Sequence, residues 1–390
     1  MKEYILRKLS PSILEASRSF PVIVLTGPRQ TGKSTLLQKI FPDHTYLTFD
    51  DMMLRSGAKS DPAFFVEKLQ LPIILDEIQY VPELLSYIKI IVDKNRQKNG
   101  LFIIAGSQIF PLMAGLAESL AGRVAIFELP GISMEELPVS DSQRHSLFNR
   151  ILKGGFPDVL IHKVDGKYFF PSYVQTYLER DIRLIQNVGD LTLFQNFLRL
   201  LALRIGNILN ITSIANDLGI AVTTCKRWLS LLENSGIIYL LRPWFRNIGK
   251  RLIKSPKLFF TDTGLASYLL RINSTPLMDN SDYNGALFEN FIIMELLKLK
   301  QNFSSDFDIW YYRDTNGSEL DFLLETSEGL IGGEIKLSMT PSKSHIKNLR
   351  KEFLNLNLKK GILVSSYEKE IPLESGISNL PWDRIITLLD

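Results

Sequence analysis

Eight residues, Gly27-Pro28-Arg29-Gln30-Thr31-Gly32-Lys33-Ser34, constrain this chain more than any other stretch. They fit G-x-x-x-x-G-K-[ST] and stand between an apolar run, Val22-Ile23-Val24-Leu25, and a helical run from Ser34 through Thr35 to Ile40. In a strand–loop–helix context the pattern has a mechanism. The glycines let successive backbone N–H groups wrap a phosphate that also faces the helix N-terminus. Lys33 is placed to reach the β- and γ-phosphates, and the Ser34 hydroxyl to ligate Mg²⁺. The stretch predicts binding of a nucleoside triphosphate.

The 390 residues predict two or three domains, at roughly 100–200 residues each. A hydrophobic fraction of 45% with 22% charged residues suits a globular chain with large buried cores. The net charge of +3 is too small to imply nucleic-acid binding by itself, so any basic surface must be local. The single cysteine, Cys225, excludes an intramolecular disulfide and a cysteine-rich zinc site, and the four histidines show no metal spacing. Met1 to Lys8 lacks the apolar run of a signal peptide. The longest uncharged run, Leu101 to Ala117, is broken by Gly106, Ser107, Gln108 and Pro111 and reads as a core strand plus loop. A cytoplasmic protein with no membrane partner is expected.

Three segments follow from patterning: 1–168, 169–275 and 276–390. In the first, apolar runs at Val22–Thr26, Thr45–Phe49, Pro72–Leu75, Leu101–Ala105 and Val124–Leu129 alternate with helical patterns. This predicts an α/β domain on a mainly parallel sheet, with ligands at the carboxyl ends of its strands. The second is helix-rich. The third returns to mixed α/β, with strands expected at Phe307–Arg313, Leu320–Glu325, Gly332–Lys336 and Lys360–Ser365.

The run Ile73-Ile74-Leu75-Asp76-Glu77 delivers two adjacent carboxylates to the end of a strand. Asp76 is placed to hold Mg²⁺ through water and Glu77 to polarise the attacking water. After the next strand, Ser107 or Gln108 could sense the γ-phosphate, or the stretch could be a plain turn. Arg123 could reach the nucleotide of a neighbouring copy, since a guanidinium stabilises charge on a transferring phosphoryl group; a surface ion pair is the alternative. Together these residues resemble the AAA+-type P-loop ATPases. The motifs that carry the resemblance are Gly-Pro-Arg-Gln-Thr-Gly-Lys-Ser-Thr at 27–35, Leu-Asp-Glu-Ile-Gln at 75–79, Ala-Gly-Ser at 105–107, Leu-Ala-Gly-Arg at 120–123 and Gly-Gly-Phe-Pro at 154–157. It continues through Tyr177 to Ile182 into a C-terminal half classed as a domain of unknown function. The resemblance implies a P-loop NTPase sheet with ATP binding and hydrolysis; ATP and Mg²⁺ are the expected cofactors, and the Arg123 reading adds a homo-oligomer.

In the second segment, Thr212 to Gly219 followed by Val222–Asn234 has helix–turn–helix spacing. Lys226 and Arg227 should face outward, and Gly236 to Trp244 reads as the hairpin wing of a winged helix. Arg246, Lys250, Arg251 and Lys254 add local basic charge with Trp244 and Phe245 beside it. DNA contact through phosphates is one reading and protein docking the other. In the third segment Glu289 lies on a helix, Asp321 on a strand, and Glu334 and Lys336 on one face of the next strand. The order resembles the PD-(D/E)xK nuclease-like superfamily, in which two carboxylates and a lysine gather around Mg²⁺. Here Glu319-Leu320-Asp321 stands where a Pro-Asp is common, and a same-face ion pair between Glu334 and Lys336 is the alternative.

Overall fold

The computed structural model describes residues 4–106, 120–137, 147–178, 191–246, 255–303 and 306–388. Ser107, Gln108, Lys250 and Arg251, together with Lys254 and Glu179 to Ile182, lie outside the described residues.

The first segment is built on five parallel strands: β1 (Val22–Thr26), β2 (Thr45–Thr48), β3 (Ile73–Asp76), β4 (Phe102–Ala105) and β5 (Val124–Glu128), in the order β2-β3-β4-β1-β5. Helices cover both faces, so the central strands read as continuous apolar runs instead of alternating ones. On β1, Val22 and Val24 join Phe49, Leu75 and Ile104 on one side, while Ile23 and Leu25 join Leu36, Leu37 and Ile74 on the other. Each such fully buried side chain stabilises the sheet by about 1.5–3 kcal/mol. Because β4 lies between β1 and β3, the loops leaving β1 and β3 open at the same carboxyl edge, one on either side of β4.

The second segment includes the helices Leu191–Ala202, Ile211–Leu218, Val222–Asn234 and Thr263–Leu269, and an antiparallel ribbon of β6 (Ile238–Leu241) and β7 (Lys257–Phe260), with Ile208 bridging Lys257. Asn210 starts the second helix by accepting the Ser213 N–H on its side chain. The ribbon departs from the expected hairpin. β6 ends at Leu241, Pro243 bridges Tyr311, and Trp244 is only 8% exposed, packed with Leu320, Leu323 and Tyr312. Burying its large ring outweighs leaving it beside the basic stretch, where the sequence pattern had placed it.

The third segment is a six-stranded mixed sheet of β8 (Phe307–Arg313), β9 (Glu319–Thr326), β10 (Gly329–Lys336), β11 (Leu358–Ser365), β12 (Ile371–Glu374) and β13 (Ile377–Pro381), in the order β12-β13-β11-β10-β9-β8. Strands β8 to β10 are antiparallel, and β10 pairs β11 in parallel across the helix Lys347–Asn355. The long helix Asn284–Phe303 packs on the sheet and on β7. One hydrophobic core draws members from all three segments, from Met134 to Leu388. The long helix also grips the first segment: Glu295 accepts the Met134 N–H at 2.8 Å, and Lys298 donates to the Ile132 carbonyl at 3.2 Å. The motif Gly154-Gly155-Phe156-Pro157 is a packing joint, where the Gly155 N–H donates to Asp262 at 2.6 Å and Phe156 meets the rings of Phe169 and Tyr173. Among the described residues no helix is long and apolar enough to cross a membrane.

Candidate active site

The phosphate loop leaves β1 and enters the helix Lys33–Ile40 through Gly32, whose φ is +90°, with no side chain capping the first turn. The free N–H groups of that turn point into the loop, which is the arrangement that holds a phosphate. Gly27 has φ +132°, and a Cβ on it would come 2.4 Å from the Leu129 carbonyl oxygen, so the loop closes against β5 only with glycine there. Thr31 ties the loop internally by donating to the Pro28 carbonyl at 2.9 Å. The Lys33 ammonium is buried and donates to the carbonyls of Gly27 (3.0 Å) and Pro28 (2.8 Å). Burial pulls its pKa down to about 8, against the pull upward of Glu77 and Asp76. An anion in the loop relieves this by favouring the charged amine.

Ser34 and Asp76 meet at 2.6 Å through the Ser34 hydroxyl and Asp76 Oδ2, and the Tyr46 hydroxyl donates to the same oxygen at 2.7 Å. A hydroxyl and a carboxylate side by side are the hard oxygen donors that suit Mg²⁺. Glu77 follows at φ +56°, and its carboxylate accepts the Gln79 amide. Burial raises the Glu77 pKa, with Arg29 and Lys33 pulling it back. The residues present therefore fit a nucleotide with Mg²⁺. Tyr46 is the side chain that the sequence reading missed, although its place on β2, next to β3 in the sheet, brings it within reach of Asp76. Arg123 sits just before β5 and is held within its own chain, with Nε 2.8 Å and Nη2 3.2 Å from the two Asp93 oxygens.

The C-terminal residues come together. Lys336 Nζ lies 2.9 Å from Asp321 Oδ2 and 2.8 Å from Glu334 Oε2, and the Ile335 N–H donates to Asp321 Oδ2 at 2.7 Å. Glu289 enters from the long helix. Two further residues complete the cluster: Lys257 of β7, 3.0 Å from Glu289 and 2.6 Å from Glu319, and Glu319 itself. Glu319 stands two positions before Asp321 on β9, so strand alternation already placed it on the same face. Burial raises the Glu289 pKa to about 7 and the Glu334 pKa to about 8, with Asp321 adding to both. Burial also pushes Asp321 up, but Lys336 and Lys257 more than offset it and hold its pKa below the ordinary carboxylate value. Among the described residues no three His, Cys, Asp or Glu side chains are arranged to hold a metal ion; ammonium groups lie between these carboxylates. On the helix Val222–Asn234, Lys226 and Arg227 are exposed while Cys225, Trp228 and Leu229 are buried; Arg246 is exposed beyond the ribbon.

A five-stranded parallel sheet in this order, with a glycine-lined phosphate loop after β1 and an Asp-Glu pair after β3, defines a P-loop ATPase. Family models match residues 19–138 as an AAA domain. They match 144–276 as a domain of unknown function (DUF8612) and 284–385 as another (DUF4143). Uncharacterised proteins of Mycobacterium bovis and Mycobacterium tuberculosis are 31% identical over 384 residues, 98% of this chain and 84% of each of them. The chain belongs to this family of AAA-domain ATPases with a DUF4143 domain at the C-terminal end. Two solved structures are similar over part of the chain. The Walker-type ATPase of Pyrococcus abyssi matches at 18% identity and a TM-score of 0.46, over 68% of this chain and 96% of that one. The Holliday junction branch migration motor RuvB of Thermotoga maritima matches at 15% and 0.32, over 60% and 87%.

Proposed function

We propose that the protein hydrolyses ATP with Mg²⁺ and couples the cycle to binding or processing nucleic acid, DNA in the first place, with the C-terminal cluster as a nuclease-like phosphodiester site. The observation that supports this reading is the convergence of Glu289, Asp321, Glu334 and Lys336 from three elements into one cluster, with its Asp321 and Glu334 carboxylates buried. In this reading Asp321 and Glu334 hold Mg²⁺ and Lys336 orients the attacking water. At the other site Lys33 and the loop N–H groups hold the phosphates, Ser34 and Asp76 hold Mg²⁺, and Glu77 takes the proton of the attacking water. Lys226, Arg227 and Arg246 supply phosphate contacts on a winged-helix module, and Arg123 of a second copy exchanges Asp93 for the nucleotide in a homo-oligomer working in the cytoplasm. The deciding experiment measures ATP hydrolysis by the purified protein with and without single- and double-stranded DNA, and Mg²⁺-dependent cleavage lost in Asp321→Ala. DNA that neither binds at low salt nor alters hydrolysis sinks the proposal.

A second reading, an ATP-dependent switch whose C-terminal half docks protein partners without cutting nucleic acid, is favoured by the ion pairing of Lys257 and Lys336 inside the cluster.

A further inference from the structure

A cleft of about 1080 Å³ opens between two walls, and none of the residues given a role above lines it. One wall is the helix Leu147–Lys153 with the chain that runs from Val159 to Phe170; the other is the helix Thr263–Leu269 with the turn that follows it. Its charged lining is Lys153, Lys163, Lys167 and Arg271 against the single carboxylate of Asp165, which pairs with Lys167 at 3.1 Å. Lys163, Lys167 and Arg271 are exposed, and among the described residues Lys163 and Arg271 meet no carboxylate within ion-pair reach. A cleft lined by one sign of charge concentrates anions.

Two of these cations stand where the backbone calls for glycine. Arg271 has φ +62° and closes the helix Thr263–Leu269: its N–H donates to the Tyr268 carbonyl at 3.0 Å, and that of Ile272 to the Ser267 carbonyl at 2.9 Å. This is the left-handed helix end that glycine ordinarily fills, since a Cβ there crowds the following carbonyl. Lys163, at φ +53°, makes a similar reversal after the short helix Pro157–Leu160, where the Val164 N–H returns to the Asp158 carbonyl at 3.0 Å. Among the described residues only three other non-glycine residues are left-handed. Gln30 and Glu77 belong to the nucleotide site, and Asn357 is of the type that tolerates the conformation. Strain of this kind clusters where function holds it in place.

We infer that this cleft binds a single strand of nucleic acid, its cations meeting successive phosphates and Tyr268 stacking on a base. The inference rests on the nucleic-acid reading above and adds a seat distinct from Lys226 and Arg227. A charged groove with an aromatic wall is how single strands are held without regard to sequence. Tyr268 is half-buried and stacked on Phe170, with ring centroids 6.2 Å apart and 23° between the planes. The cleft exceeds the range of about 300–1,000 Å³ that small ligands occupy, yet is too narrow for a duplex. It also adjoins the phosphate loop. A Cβ on Gly32 would come 3.9 Å from Pro157 Cγ, and Asp262, which starts the helix of the opposite wall, accepts the Gly155 N–H. Strand and nucleotide thus bear on one joint.

The test uses the full chain without nucleotide and the double variant Lys163→Gly with Arg271→Gly, which removes two charges and relaxes both turns. Binding of a fluorescent oligothymidylate of about ten nucleotides is read by anisotropy across a salt series. The double variant should bind it about tenfold more weakly, with a log–log salt slope flatter by about 0.7 for each of two phosphates. Its melting midpoint should be no lower than that of wild type, and its affinity for duplex of the same length should be unchanged. Wild-type affinity for the single strand in the double variant overturns the inference. If the single strand is lost instead in Lys226→Ala with Arg227→Ala, the nucleic-acid reading stands without the cleft. No binding of either form of DNA by the wild type removes both. Polyglutamate of equal charge that displaces the strand on equal terms assigns the cleft to an acidic protein segment and overturns the inference as well. Should the double variant fail to fold, photo-cross-linking of a bromodeoxyuridine oligonucleotide to the wild type decides. The adduct should map to Tyr268; adducts confined to other elements overturn the inference.

Discussion

Gly236, at the head of the ribbon, lies against Pro28 of the phosphate loop so closely that a Cβ on it would come 2.8 Å from the proline Cγ. Its φ of +66° is left-handed, and its carbonyl accepts the Thr261 hydroxyl. The nucleotide loop and the ribbon that carries Lys257 therefore share a wall. Gly236→Ala should destabilise the protein by about 1–2 kcal/mol, from the left-handed conformation alone. It should also weaken nucleotide binding by displacing Pro28. Thermal denaturation and nucleotide titration check both effects; wild-type affinity in Gly236→Ala means the loop does not feel the ribbon.

At the phosphate loop, Lys33→Ala should weaken ATP binding about ten- to hundredfold, since hydrogen bonds to charged groups contribute about 1.5–3 kcal/mol. Glu77→Gln should bind ATP normally and hydrolyse it about 10²–10⁴-fold more slowly, the usual share of a general base. Equilibrium binding and single-turnover hydrolysis separate the two. Wild-type hydrolysis by Glu77→Gln removes Glu77 from its role.

Arg123 is the test of assembly. Its bond to Asp93 must break for it to reach a second copy, so Lys33→Ala and Arg123→Ala subunits, each inactive alone, should regain part of the activity when mixed. Specific activity should rise with protein concentration. Strict proportionality, with no recovery on mixing, makes the Asp93 pair its whole function.

The exposed pair Lys226 and Arg227 should bind phosphates. Replacing both by alanine should flatten the log–log salt dependence of duplex binding by about 0.9 for each phosphate that is no longer neutralised. An unchanged slope moves the nucleic-acid surface elsewhere on the chain.

Glu334 gives a pH signature. Its pKa rises from 4.5 to about 8, so between these values the folded protein binds more protons than the unfolded chain. Its contribution to stability is present below pH 4.5 and is lost as pH climbs through about 8, with a slope approaching about 1.4 kcal/mol per pH unit. Glu289, raised to about 7, adds to the same decline. Denaturant unfolding across this range should show stability falling with pH, and Glu334→Gln should flatten the fall.

The nucleotide site was legible because its parts are local. Gly27 to Ser34 carry their own backbone geometry, and Asp76-Glu77 ends a strand whose apolar run is plain in the sequence. The position of Ile73–Asp76 two strands from β1 was not, since strand order is fixed by helices packing across the sheet. In the C-terminal cluster, the alternation that put Glu334 and Lys336 on one face held, with Nζ and Oε2 at 2.8 Å. Lys257 was invisible: in Lys257-Leu-Phe-Phe260 it reads as the polar start of a strand, and only the ribbon's docking on β9 and the long helix brings it to Asp321. Trp244 leaves its expected place beside the basic stretch for a related reason, because the sheet that covers it comes much later in the chain.

Glu295 holds the backbone of Met134, and Lys298 beside it holds Ile132. A helix counted by sequence with the last segment thus spells out part of the address of the first. Because both contacts are to main-chain atoms, any residue can stand at 132 and any but proline at 134 without removing the groups that the helix grips.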